Sequence, residues 1–177
     1  MGSGNDFEKG RAELILPKWE SFFSVVYPAN PSIWRTAFAP IDGLKSFLTT
    51  SSKTYIASYI TEAEKAHHHS VFGDDYSACL NWYKRGINNL GVDEEKELLK
   101  KGEIKEKIGK ETLMVTGLKD VVCGAESGRI SMSGNVERGK LRVVDVDAGH
   151  WIMLEKVEET NRVLTEFFEG VGVRSVL

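Results

Sequence analysis

Thr112-Leu113-Met114-Val115-Thr116, closed by Gly117, and Leu141-Arg142-Val143-Val144-Asp145-Val146 decide the fold. Both are short runs rich in β-branched and apolar residues. Neither shows the full polar alternation of a strand with one wet face, so each reads as a strand buried on both sides. The segment between them is long enough for a helix, expected over 124–136. Two strands joined in this way form a βαβ unit and must lie parallel. A further helix is expected over 155–170, with Val157, Leu164, Phe167 and Phe168 on one side. A parallel pair alone is a poor sheet, because its helices cover only part of each face.

Upstream the pattern changes. A Lys- and Glu-rich stretch runs from Asp93 to Lys110; Asp93 heads a helix over 94–101, and Gly102 takes the C′ place. Residues 11–92 are aromatic-rich and read as helices with irregular connections. Thr61 and Glu64 form a capping box. Asp74 or Asp75 can cap a helix whose apolar face is Tyr76, Cys79, Leu80, Tyr83 and Ile87. Pro17, Pro28, Pro31 and Pro40 keep earlier helices short. The expected organisation is an N-terminal segment over 1–16, a helical region over 17–110 and an α/β portion over 111–177.

Composition narrows the function classes. The 177 residues carry 23 Lys plus Arg against 26 Asp plus Glu, a net charge of -3. No basic excess is available to displace nucleic-acid counterions. No run approaches the length of a membrane span. The first ten residues lack the apolar core of a secretory signal. Cys79 and Cys123 are too few for a disulfide framework. A reduced, cytoplasmic setting is expected.

Two polar clusters follow the strands. Gly117-Leu118-Lys119-Asp120 comes after the first, and Asp147-Ala148-Gly149-His150-Trp151 after the second. In parallel sheets functional groups collect beyond the carboxyl ends of the strands. An Asp and a His at matching positions there can meet, the acid orienting an imidazole that acts as general base. Singly, Asp120 reads as a turn residue and His150 as a neighbour of a helix start. Together they favour catalysis. His67, His68 and His69 are consecutive on a helix, cannot converge on one ion, and read as a solvated face. Cys123 reads as a small buried hydrophobe. No metal or cofactor is expected.

These residues resemble a known family. Lys119-Asp120 after a strand and Gly149-His150-Trp151 before a terminal helix resemble the C-terminal end of an α/β-hydrolase. Leu80-Asn81-Trp82-Tyr83-Lys84 resembles the Asn-Trp-Tyr motif in the cap of α/β-hydrolase-fold epoxide hydrolases, and the stretches from Trp19 and from Tyr27 to Leu48 look like the start of a fungal-type cap. The resemblance covers about residues 17–170. It implies a partial α/β-hydrolase fold: the C-terminal βαβα portion of the parallel sheet with a helical cap. It also implies a mechanism. An aspartate forms an alkyl-enzyme ester with the epoxide, water activated by His150 hydrolyses that ester to the diol, Asp120 orients His150, and Tyr83 donates to the epoxide oxygen. Trp82, Trp151, Trp19 and Tyr27 would contact a small hydrophobic substrate.

The departures matter equally. No His-Gly pair for an oxyanion hole occurs, and no nucleophile turn stands before the cap. The Gly124-Ala125-Glu126-Ser127-Gly128 string lies after the Asp120 strand and reads as a helix start. Trp19 stands where an early-cap tyrosine is usual, with Tyr27 the nearest phenol, and Glu111 replaces a usual proline. The chain is therefore expected to lack the nucleophile and to need an N-terminal half or self-association. The alternative is a non-catalytic module holding a hydrophobic ligand.

Overall fold

The two runs form a parallel pair, β1 (Thr112–Gly117) and β2 (Leu141–Val146). Their register pairs Thr112 with Leu141 and Gly117 with Val146. The computed structural model describes residues 13–72 and 75–172. The crossover holds a helix, Ala125–Asn135, that starts in the Gly124–Gly128 string. Gly139, at φ 85, makes the left-handed turn into β2. One extra parallel bridge, Ile108 with Val136, extends the pairing. The result is mixed α/β structure around a two-stranded sheet. Among the described residues neither outer edge of the sheet is paired.

Helices Ile152–Glu155 and Val157–Gly170 follow β2. Here burial departs from expectation. Val163 is the deeply buried residue of the last helix, whereas Val157, Leu164 and Phe168 are exposed. A pair of strands offers too little surface to cover a full helical stripe. Leu118, Ile130 and Met153 are exposed for the same reason. Arg142 Nη2 bonds Glu166 Oε2 at 3.1 Å, tying β2 to this helix.

The structure divides into two units at Glu94 and Glu95, inside the helix Val92–Lys100. The N-terminal unit is helical: Trp19–Val26, Trp34–Ala37, Gly43–Thr49, Glu62–Phe72 and Asn81–Ile87. Pro17 and Pro31 each sit in the first turn of a short 3-10 piece, where a missing N–H costs nothing. The capping box forms: Glu64 N–H donates to Thr61 Oγ1 at 3.2 Å, and Glu64 Oε2 accepts from Thr61 N at 2.7 Å. Phe23, Val25 and Leu48 are fully buried.

The helix expected from Asp74 or Asp75 onward is shorter than its periodicity suggests. Asp74 lies outside the described residues. Asp75 Oδ1 accepts from Ser77 N at 2.7 Å, making a turn; the helix starts only at Asn81. Tyr76 is buried, but Tyr83 and Ile87 are exposed, so the expected apolar face is split. No helix among the described residues is long and apolar enough to cross a membrane.

Candidate functional site

The chain leaves β1 and β2 side by side, and backbone bonds hold the two departing loops together. Leu118 N–H donates to Val146 O at 2.9 Å, and Lys119 N–H to Ala148 O at 2.9 Å. Gly117 makes this approach possible. A Cβ at that position would lie 2.3 Å from Gly149 O and 2.8 Å from Ala148 O. Both contacts are with backbone, so any side chain would force the loops apart.

Asp120 and His150 meet at the end of these loops. His150 Nδ1 lies 2.7 Å from Asp120 Oδ2. The other carboxylate oxygen, Oδ1, accepts from the amides of Val122 and Cys123, each at 2.9 Å. The Asp120 side chain is 8% exposed and that of His150 33%. Burial pushes the Asp120 carboxyl up, but the Cys123 and Val122 amides and His150 outweigh it, and the group ends below its usual range. An ionised carboxylate only accepts hydrogen bonds, so His150 Nδ1 is the donor in this contact. A depressed carboxyl favours the fold while it is ionised. That stabilisation is present above the unfolded-state value and is lost as the pH falls through the folded one.

Three further contacts support this pair. Glu155 Oε2 accepts from Gly149 N at 2.8 Å and fixes the backbone just before His150. Lys119 and Asp147 pair across the two loops at 2.8 Å. Trp151 stands edge-on to the His150 ring, centroids 5.1 Å apart, and limits its rotation. Glu155 is invisible in the sequence because its partner is a backbone amide that only the loop path brings near. Cys123, expected to be a buried hydrophobe, is exposed. It sits on the turn that caps Asp120, and partial desolvation of the thiol by its neighbours together with the nearby Asp120 charge raises its pKa.

The other residues singled out from the sequence lie in the N-terminal unit. Trp19 and Tyr27 join an aromatic cluster centred on His68. The His68 ring lies 5.1 Å from Phe23, 4.8 Å from Phe72 and 6.0 Å from Tyr27. Trp19 is 6.3 Å from His68 and 4.3 Å from His69. The solvated-face reading is therefore wrong for His68, because the aromatic residues of Trp19–Val26 pack on it. Burial, with His69 beside it, lowers its pKa. Tyr76 belongs to the same cluster, and burial pushes its phenol up to about 12. The Trp19 indole opposes that rise without reaching hydrogen-bond geometry: Trp19 Nε1, His68 Nδ1 and Tyr76 Oη are buried and make no hydrogen bond among the described residues. Trp82 and Tyr83 stand outside the cluster, 77% and 62% exposed. No hydrogen bond of the Tyr83 hydroxyl occurs among the described residues.

Two groups thus emerge. Asp120, His150 and Trp151 are together at the strand ends; Trp19, Tyr27 and His68 are together in the helical unit. No protein-family model matches the sequence, and no curated protein matches it.

Proposed function

We propose that this chain supplies the acid–base half of an α/β-hydrolase-type active site, with epoxide hydrolysis as the reaction. The carrying observation is the 2.7 Å contact of His150 Nδ1 with an Asp120 carboxylate that two backbone amides keep ionised. Such a pair has a proton on Nδ1 and a base at Nε2, the arrangement required to take a proton from water attacking an ester. In this reading an aspartate on a separate segment opens the epoxide and forms an alkyl ester. Nε2 removes a proton from water as its oxygen attacks the ester carbonyl, and the aspartate is regenerated as the diol leaves. Tyr83 is the phenol that donates to the epoxide oxygen, a role that rests on the Asn81-Trp82-Tyr83 resemblance.

The alternative is a non-catalytic module for an apolar ligand. It is favoured by the rings of Trp19, Phe23, Tyr27, Phe72 and Tyr76 gathered around His68, the kind of surface on which an apolar ligand packs. One experiment separates the two readings. The chain is assayed with an aryl epoxide, alone and mixed with the N-terminal half of a fungal-type epoxide hydrolase. The expected result is no diol from the chain alone and diol formation on mixing. Tight binding of the epoxide with no turnover in either case would replace the hydrolase reading by the binding module.

A further inference from the structure

Asp120 and His150 have a third neighbour. A carboxylate oxygen of Asp120, the sulfur of Cys123 and a ring nitrogen of His150 all lie within 4.8 Å of one another. A thiol beside an acid–histidine pair can serve in two ways, and the distances separate them. As a nucleophile in a relay, sulfur must sit across the imidazole from the acid. A ring and two hydrogen bonds then separate sulfur from carboxylate by roughly 7 Å. Here the sulfur is on the acid's own side, because the Cys123 amide donates to Asp120 Oδ1 and Sγ is within 4.8 Å of a carboxylate oxygen. That is a triangle, not a line, and a triangle of donors is what a chelate needs.

We propose that Asp120, Cys123 and His150 form a three-ligand site for a thiophilic divalent cation, Zn2+ by ligand type, with its fourth position open to water. Metal–ligand distances of about 2.0–2.3 Å place tetrahedral donors roughly 3.5 Å apart, so small side-chain rotations close the triangle. The thiolate selects against Mg2+ and Ca2+, which take oxygen ligands. The ligands are also held in advance. Asp120 Oδ1 is fixed by the Val122 and Cys123 amides, which leaves Oδ2 to turn toward an ion. Glu155 fixes the backbone that carries His150. The ion takes the Asp120 oxygen that His150 otherwise uses, so a filled site and a working acid–base pair exclude each other. The metal site itself does not depend on the hydrolase reading.

The test is a Co2+ titration of the full chain. The expected result is a thiolate-to-cobalt charge-transfer band that saturates at one equivalent and disappears on adding Zn2+. Cys123→Ser, a near-isosteric change at an exposed residue, should abolish the band while circular dichroism stays unchanged. His150→Gln should weaken cobalt binding about tenfold or more. Cys79→Ser, in the other unit, should leave the band intact. The stretch His67 to His69 can ligate only through nitrogen, so cobalt held there gives no charge-transfer band. No band with the native chain, a band that survives Cys123→Ser, or a band lost in Cys79→Ser would each overturn the proposal.

Discussion

In an enzyme reconstituted from this chain and a nucleophile-bearing half, His150→Gln is expected to stop turnover after one alkyl ester has formed per site. Glutamine keeps polar character and approximate size but cannot accept the water proton, so the first chemical step survives and the second fails. Steady-state diol production should drop about a thousandfold or more, in line with losing the base of a triad. Intact-mass analysis should show the nucleophile half carrying the mass of one substrate. Diol formation near the native rate would remove His150 from the mechanism, and loss of activity without ester would place its role before, not after, the covalent step.

Gly117→Ala should be nearly as damaging, although residue 117 touches no substrate in this account. Its Cβ would meet Gly149 O at 2.3 Å, well inside van der Waals contact. The loop carrying His150 must then move by most of an ångström or β1 must bend. Overpacking of this kind costs about 1–3 kcal/mol, and a shift of that size at a reacting group lowers rate about a hundredfold. Gly134→Ala is the control. It lies in the crossover helix with no atom within 4 Å of the added Cβ, and should stabilise by about 0.5–1 kcal/mol through reduced chain entropy. Urea unfolding and turnover of the two variants should move in opposite directions for stability, with activity lost only in Gly117→Ala. Equal behaviour of the two would mean that the close approach of the loops is unimportant.

Local order decides which features were legible in the sequence. β1, β2 and the helix between them follow from residue type and run length, and their parallel pairing follows from the connection. The Thr61–Glu64 box is complete within four residues and forms as written. Asp120 and His150 were legible because each follows a strand directly, and the register brings the strand ends together. Burial was less legible. Periodicity marks an apolar face but not whether anything covers it, so Tyr83, Ile87, Val157 and Phe168 are exposed while His68 is half-buried among aromatics. Glu155 and Cys123 reach the site through backbone amides, and such partners leave no trace in residue type.

The metal site and the acid–base pair make competing demands on the same side chains, and the absence or presence of the ion should be controlled in every assay. Samples stripped with a chelator isolate the pair, whose contact with Asp120 Oδ2 is the basis of the hydrolase reading.

The most direct measurement of that basis is 1H–15N NMR of the histidine rings in the chelator-treated full chain at neutral pH. The four histidines give four ring systems, and His150 is assigned by its loss in His150→Gln. The expected result is a proton on Nδ1 that exchanges slowly enough to be seen and is shifted downfield by the Asp120 carboxylate. Asp120→Asn should remove that downfield signal, and Asp42→Asn, in the other unit, should leave it in place. A His150 ring protonated on Nε2 alone, or an Nδ1 proton unaffected by Asp120→Asn, would contradict the claim that this chain carries an oriented general base.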